Sequence, residues 1–105
     1  MEKNLKNLSL SSALFSGVQQ RVLALIFGHP ERSFYTSEIV RSVDSGRGAV
    51  ERELERLERT GLVSVKHVGN QKHYQANQQS PIYEELKGIV LKTVGLAEPL
   101  RQSLA

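Results

Sequence analysis

Residues 36–63 read TSEIVRSVDSGRGAVERELERLERTGLV, and the fold turns on this stretch. Ile39, Val40 and Val43 mark one amphipathic helix, which Thr36 or Ser37 can cap and which Asp44-Ser45-Gly46 breaks. Val50, Leu54 and Leu57 then recur at helical spacing, predicting a second helix from about Arg47 to Thr60 with Gly61 as its C-cap. Two short helices separated by a glycine-containing turn form a helix-turn-helix.

The flanking sequence supplies the rest of the domain. Downstream, Val63 and Val65 alternate with polar residues, as do Tyr74 and Ala76, which predicts two strands joined by the polar turn Gly69-Asn70-Gln71-Lys72. A hairpin that begins where the second helix ends is a wing. Upstream, Ser16-Gly17-Val18-Gln19 fits a capping box, and Val18, Val22, Leu25 and Ile26 continue it as a scaffold helix that Gly28-His29-Pro30 ends. Phe34-Tyr35 is long enough for one strand rung only. Ser80-Pro81 is expected to open a last helix as N-cap and N1, with Glu84 and Glu85 in its first turn. Its apolar arc is wide enough for two partners, the chain's own core and the same helix of a second subunit. The expected class is therefore mainly α with a small β-hairpin: a three-helix core plus wing and an additional C-terminal helix. Residues 1–12 read as an N-terminal arm, 13–79 as the winged helix-turn-helix domain and 80–105 as a C-terminal dimerisation helix.

Composition narrows the function. The 105 residues suit a single domain, and with no cysteine there is no disulfide, thiol nucleophile or thiolate metal site. Asp44 is the one aspartate, which disfavours metal centres built on paired aspartates. His67 and His73 flank one turn and could approach each other, but no carboxylate accompanies them locally, so neither a metal nor another cofactor is expected. Met1 to Ser12 has no continuous apolar core, and Val22 to Phe27 is too short to span a bilayer, so the chain is expected to be cytoplasmic, with no membrane partner. The net charge of +3 permits a polyanionic partner, and residues 41–72 hold seven basic side chains against five acidic ones.

In a helix-turn-helix the first residues of the second helix enter the major groove, where arginine can contact guanine O6 and N7. Ser45, Arg47, Ala49 and Arg52 are the base or backbone candidates, and Gly48 has no side chain to hold that surface away from the duplex. Thr36 and Ser37 open the preceding helix. Arg56 and Arg59 lie further along, facing phosphates or solvent, although Glu53–Arg56 and Glu55–Arg59 also read as ordinary surface ion pairs. On the wing, Lys66, His67, Asn70, Gln71 and Lys72 can reach a minor groove or flanking phosphates. Tyr35 and Tyr74 read as packing residues.

The segment LERLERTGLV at 54–63, followed by a glycine-tipped hairpin, resembles the ArsR-type winged helix-turn-helix regulators. More narrowly, GNQKHYQAN at 69–77, SPIYEEL at 80–86 and GIVLKTVG at 88–95 are similar to the winged-helix domain that often precedes a small nucleotidyltransferase domain. The likeness covers about residues 13–105. It implies a non-enzymatic, sequence-specific regulator that binds double-stranded DNA, a homodimeric repressor being the expected form. The dimer contact would draw on Leu14, Phe15, Val18, Tyr83, Leu86, Val90, Leu91 and Val94. The cysteines or clustered histidines of metal-sensing members are missing, and the sequence stops at Ala105 before any nucleotidyltransferase motif. It reads either as a stand-alone regulator or as the DNA-binding part of something longer. The alternatives are a protein-interaction module and an accessory DNA-binding domain of a nucleotidyltransferase system.

Overall fold

In the computed structural model, which describes residues 10–94, the elements run α1 (Leu10–Leu14), α2 (Gly17–Gly28), β1 (Phe34–Tyr35), α3 (Thr36–Val43), α4 (Arg47–Arg59), β2 (Val63–Val68), β3 (Gln71–Ala76) and α5 (Tyr83–Thr93). The expected arm therefore falls mostly outside the described residues, as does the chain from 95 onward, and its last described residues belong to α1.

The capping box opens α2 as expected: Gln19 N donates to Ser16 Oγ at 3.4 Å, and Ser16 N donates to Gln19 Oε1 at 2.9 Å. Val22, Leu23, Ile26 and Phe27 then face inward, so α2 is the pillar against which α3, α4 and α5 pack. Ile39 and Val43 from α3 meet Val50, Leu54 and Leu57 from α4 in that core. Asp44-Ser45-Gly46 separates the two helices as expected, with its first and last residues in distinct conformations. Asp44, with φ 53°, takes the left-handed position and Gly46, with φ −60°, is the extended N-cap of α4. Aspartate is one of the few residues besides glycine that tolerates this region. At its other end α4 closes in a Schellman motif: Leu62 N donates to Leu57 O at 3.0 Å and Gly61 N to Glu58 O at 3.1 Å, with Gly61 at φ 78°.

The sheet is three-stranded and antiparallel in the order β1-β3-β2. Phe34 pairs with Tyr74 and Tyr35 with His73, so the two residues of β1 add a full third strand to the hairpin. Val68 pairs with Gln71, leaving Gly69-Asn70 as a two-residue loop, and Gln71 and Lys72 belong to β3 rather than to the turn. Gly69 has φ 61° and Asn70 does not share its sign, the φ pattern of a type II′ hairpin turn.

The start of the last helix departs from expectation. Ser80 is not its N-cap: Tyr83 N donates to Ser80 O at 3.0 Å and Ile82 N to Ser80 Oγ at 3.4 Å, so Ser80-Pro81 forms a tight turn and α5 begins at Tyr83. Asn77 stacks a second turn ahead of it, accepting from Ser80 N at 3.1 Å through its carbonyl. These turns carry the chain from β3 back to α2, where Tyr83 meets Phe27 at 6.1 Å between ring centroids and Val90 is fully enclosed. Helices α2, α3 and α4 with the β2–β3 wing constitute a winged helix-turn-helix.

Candidate nucleic-acid interface

Three elements that are separate in sequence meet at one cleft of about 290 Å³, lined by Tyr35, Thr36 and Ser37, by Arg47, and by Asn70, Gln71 and Lys72. Thr36 and Ser37 stand there because β1 delivers the chain directly into α3. The N-cap of α3 is Tyr35 rather than Thr36 or Ser37, and it makes no side-chain capping bond, so no N-cap side chain occupies the first-turn N–H groups of that helix. Arg47 spans the turn: its Nη2 donates to Ser37 Oγ at 2.8 Å and its Nη1 to Glu51 Oε2 at 3.1 Å. The hairpin register then brings the wing tip over the same place.

The exposed surface of α4 divides by charge. Gly48 and Arg52 are exposed, the Arg52 guanidinium lying along the bare backbone of Gly48, 3.6 Å from where a Cβ would stand, while Arg59 pairs with Glu55 at 3.6 Å. Ala49 is half-buried beside Gly48. Among the described residues Arg52 and Lys66 form no ion pair. The flank toward the wing is acidic: Glu51, Glu55 and Glu58 line a groove of about 460 Å³ with Thr36, Arg59, Lys72 and Tyr74. Lys72 crosses that groove to donate to Glu58 at 3.2 Å. That hydrogen bond holds the Lys72 ammonium above its ordinary value, against desolvation.

Other expected site residues have local work. Arg56 is bonded twice to Glu53, through Nη2 at 2.6 Å and Nε at 3.2 Å, and Glu53 is buried at 5% exposure. The hydrogen bond to Glu53 raises the Arg56 pKa. Arg56 is thus the partner of a buried carboxylate, not a loose cation on the outer face. Ser45 Oγ accepts from Arg21 Nη2 at 2.8 Å and donates to Val43 O at 3.4 Å. Arg21, which the sequence reading did not single out, reaches this turn from α2.

The wing histidines do not converge. His67 pairs with Lys72 and His73 with Lys66, which puts the two imidazoles on opposite faces of the hairpin. His73 packs on Tyr35 at 5.7 Å between centroids, and its Nδ1 is 3.4 Å from Ser33 Oγ.

The residues expected at a dimer contact also separate. Tyr83 and Val90, at 6% and 0% exposure, are core residues of the single chain, and Phe15, Val18, Leu86 and Val94 pack half-buried against that core. Leu14 and Leu91 are exposed, and Leu10, Ile82 and Ile89 are exposed apolar residues that had not been expected there. Among the described residues no helix is long and apolar enough to cross a membrane.

No protein-family model and no curated protein matches the chain. Solved structures do. The crystal structure of AF1382 from Archaeoglobus fulgidus superposes with a TM-score of 0.63 at 19% identity, covering 84% of this chain and 96% of that one. Sso10a-2, a DNA-binding protein from Sulfolobus solfataricus, gives a TM-score of 0.57 at 13% identity over 80% of this chain and 85% of its own. Rv0081 from M. tuberculosis gives 0.58 at 25% identity over 99% of this chain and 97% of its own. The likeness is one of fold, over 80% to 99% of this chain.

Proposed function

We propose that the chain is a sequence-specific double-stranded DNA-binding regulator of the ArsR-like winged-helix kind, acting as a homodimeric repressor. The observation that carries this reading is the convergence of Thr36, Ser37, Arg47, Asn70, Gln71 and Lys72 on one cleft, with Arg52 exposed on the same helix as Arg47. Helix N–H groups, amides and two cations suit phosphate oxygens, while Arg47 and Arg52 sit where a reader helix meets base edges. The likeness to Sso10a-2, described as DNA-binding, supports it. The acidic flank of α4 restricts the docking angle, because Glu51, Glu55 and Glu58 repel phosphate on the wing side. In this reading the duplex lies against the N-terminal end and outer face of α4, and a dimer spans two half-sites about one helical turn apart or a multiple of it.

Fluorescence anisotropy of the full chain with its own upstream DNA and with a scrambled duplex, at two salt concentrations, tests the proposal. Tighter, salt-sensitive binding to the upstream fragment is expected. Equal weak binding to both, or none, overturns it. A second reading, a protein-interaction module, is favoured by the exposed Leu10, Leu14, Ile82, Ile89 and Leu91. Its association would be nearly insensitive to salt.

A further inference from the structure

We propose that Arg21 is a positioning residue for the reader helix: from α2 it fixes the turn that launches α4 and so sets the angle at which Arg47 and Arg52 are presented. The inference rests on the DNA-binding reading above. Arg21 Nε donates to Val43 O at 2.9 Å and Nη2 to Ser45 Oγ at 2.8 Å. The Val43 carbonyl belongs to the last turn of α3, where carbonyls lack partners within the helix. Ser45 Oγ also donates to that carbonyl at 3.4 Å, so the three groups close a ring around Asp44. Asp44, at φ 53°, is the one described non-glycine residue with a positive φ, a conformation aspartate tolerates and that the ring of hydrogen bonds further restricts.

The neighbouring structure offers α4 little other guidance at its start. Its N-cap is Gly46, which makes no side-chain capping bond. The other side-chain link across the turn, Arg47 to Ser37, uses the residue that would exchange Ser37 for DNA on binding. Arg21 keeps its hold when Arg47 lets go. Its base is rigid, because Val22 and Leu23, the next residues on α2, are fully packed in the core. The planar guanidinium spans two acceptors at fixed spacing, which a lysine ammonium cannot do.

Arg21→Met, Arg21→Lys and Ser45→Ala in the full chain test this, with each variant's fold checked by thermal melting. Discrimination is read as the ratio of affinities for upstream and scrambled DNA, alongside the salt slope and amide hydrogen exchange at residues 44–48. Both Arg21 variants are expected to lower discrimination about tenfold, the scale on which one charged hydrogen bond acts, with the salt slope unchanged. Exchange at the turn should quicken in both, Ser45→Ala should show part of the loss, and adding it to Arg21→Met should cost nothing more. Equal losses on both duplexes with a salt slope lower by about 1 would make Arg21 a phosphate contact and overturn the proposal. Unchanged discrimination in the folded variants also overturns it. If the unaltered chain binds neither duplex, the DNA-binding reading fails by itself and exchange alone decides: faster exchange in Arg21→Lys sustains the clamp, and unchanged exchange removes it.

Discussion

Arg56 holds the buried carboxylate of Glu53 through two nitrogens, one turn apart on α4, at 2.6 and 3.2 Å. A carboxylate at 5% exposure is tolerated when paired and costly when left alone. Arg56→Ala should therefore destabilise the domain by roughly 1–3 kcal/mol, toward the lower figure because the Arg56 side chain itself is half exposed and water can replace it. Thermal melting reads this as a fall of roughly 4–8 °C per kcal/mol for a domain of this size. An unchanged melting temperature, with DNA affinity reduced and the salt slope lower by about 1, would instead make Arg56 a phosphate ligand.

Arg52 has the opposite character. It lies exposed across Gly48 and has no acidic partner among the described residues, so its removal breaks nothing in the fold. Arg52→Ala should leave the melting temperature nearly unchanged and weaken binding to the upstream duplex by about 1–3 kcal/mol, relaxing preference at one base position per half-site. Binding to scrambled DNA should fall much less. Equal losses on the two duplexes would reduce Arg52 to a nonspecific cation.

These two arginines mark how far the sequence could be read. The stripe Val50, Leu54, Leu57 with Gly61 after it specified α4 and its end, because periodicity and a left-handed cap are local signals. The candidates Thr36, Ser37, Arg47 and Lys72 followed from the motif, yet their meeting in one cleft depends on β1 joining β3, and a two-residue strand has no alternation to detect. Glu53 reads as polar in any pattern; its burial comes from tertiary packing beside an arginine three residues on. The Arg21 clamp spans 22 and 24 residues and leaves no local trace. The opposite faces of His67 and His73 needed the hairpin register, which the short Gly69-Asn70 loop fixes.

Lys72 ties the wing to α4 through Glu58, and its pKa is raised chiefly by that hydrogen bond. A cation whose folded pKa is raised stabilises the fold fully below its unfolded pKa and loses that contribution as the pH rises through the folded value. Lys72→Gln should thus be slightly less stable than the parent, by no more than about 1 kcal/mol for so exposed a pair, with a constant difference between about pH 6 and 9. The gap should close only in strongly alkaline solution. Urea melts across pH measure it; a gap that varies through neutral pH would place its origin in another group. On DNA the same variant should reduce the salt slope by about 1 as the ammonium exchanges Glu58 for phosphate.

The proposed homodimer can be tested apart from the fold because its expected residues divide between surface and core. Leu14 and Leu91, at 56% and 40% exposure, line no part of the single-chain core, whereas Val90 is wholly inside it. Leu14→Glu with Leu91→Glu should preserve the melting temperature of the isolated chain, since exposed substitutions shift stability by about 0.5 kcal/mol or less. The same pair should turn a sedimenting dimer into a monomer, because two carboxylates would have to be desolvated against a second copy. Val90→Ala should do the reverse, costing roughly 1–3 kcal/mol of stability without changing the subunit count. DNA binding sharpens the distinction: loss of the dimer should weaken affinity for paired half-sites far more than for a single one, since the second contact is no longer tethered to the first. A parent chain that sediments as a monomer at tens of micromolar, or a double variant that remains dimeric, removes this contact. The exposed leucines of α1 and α5 would then be left to a partner of another kind.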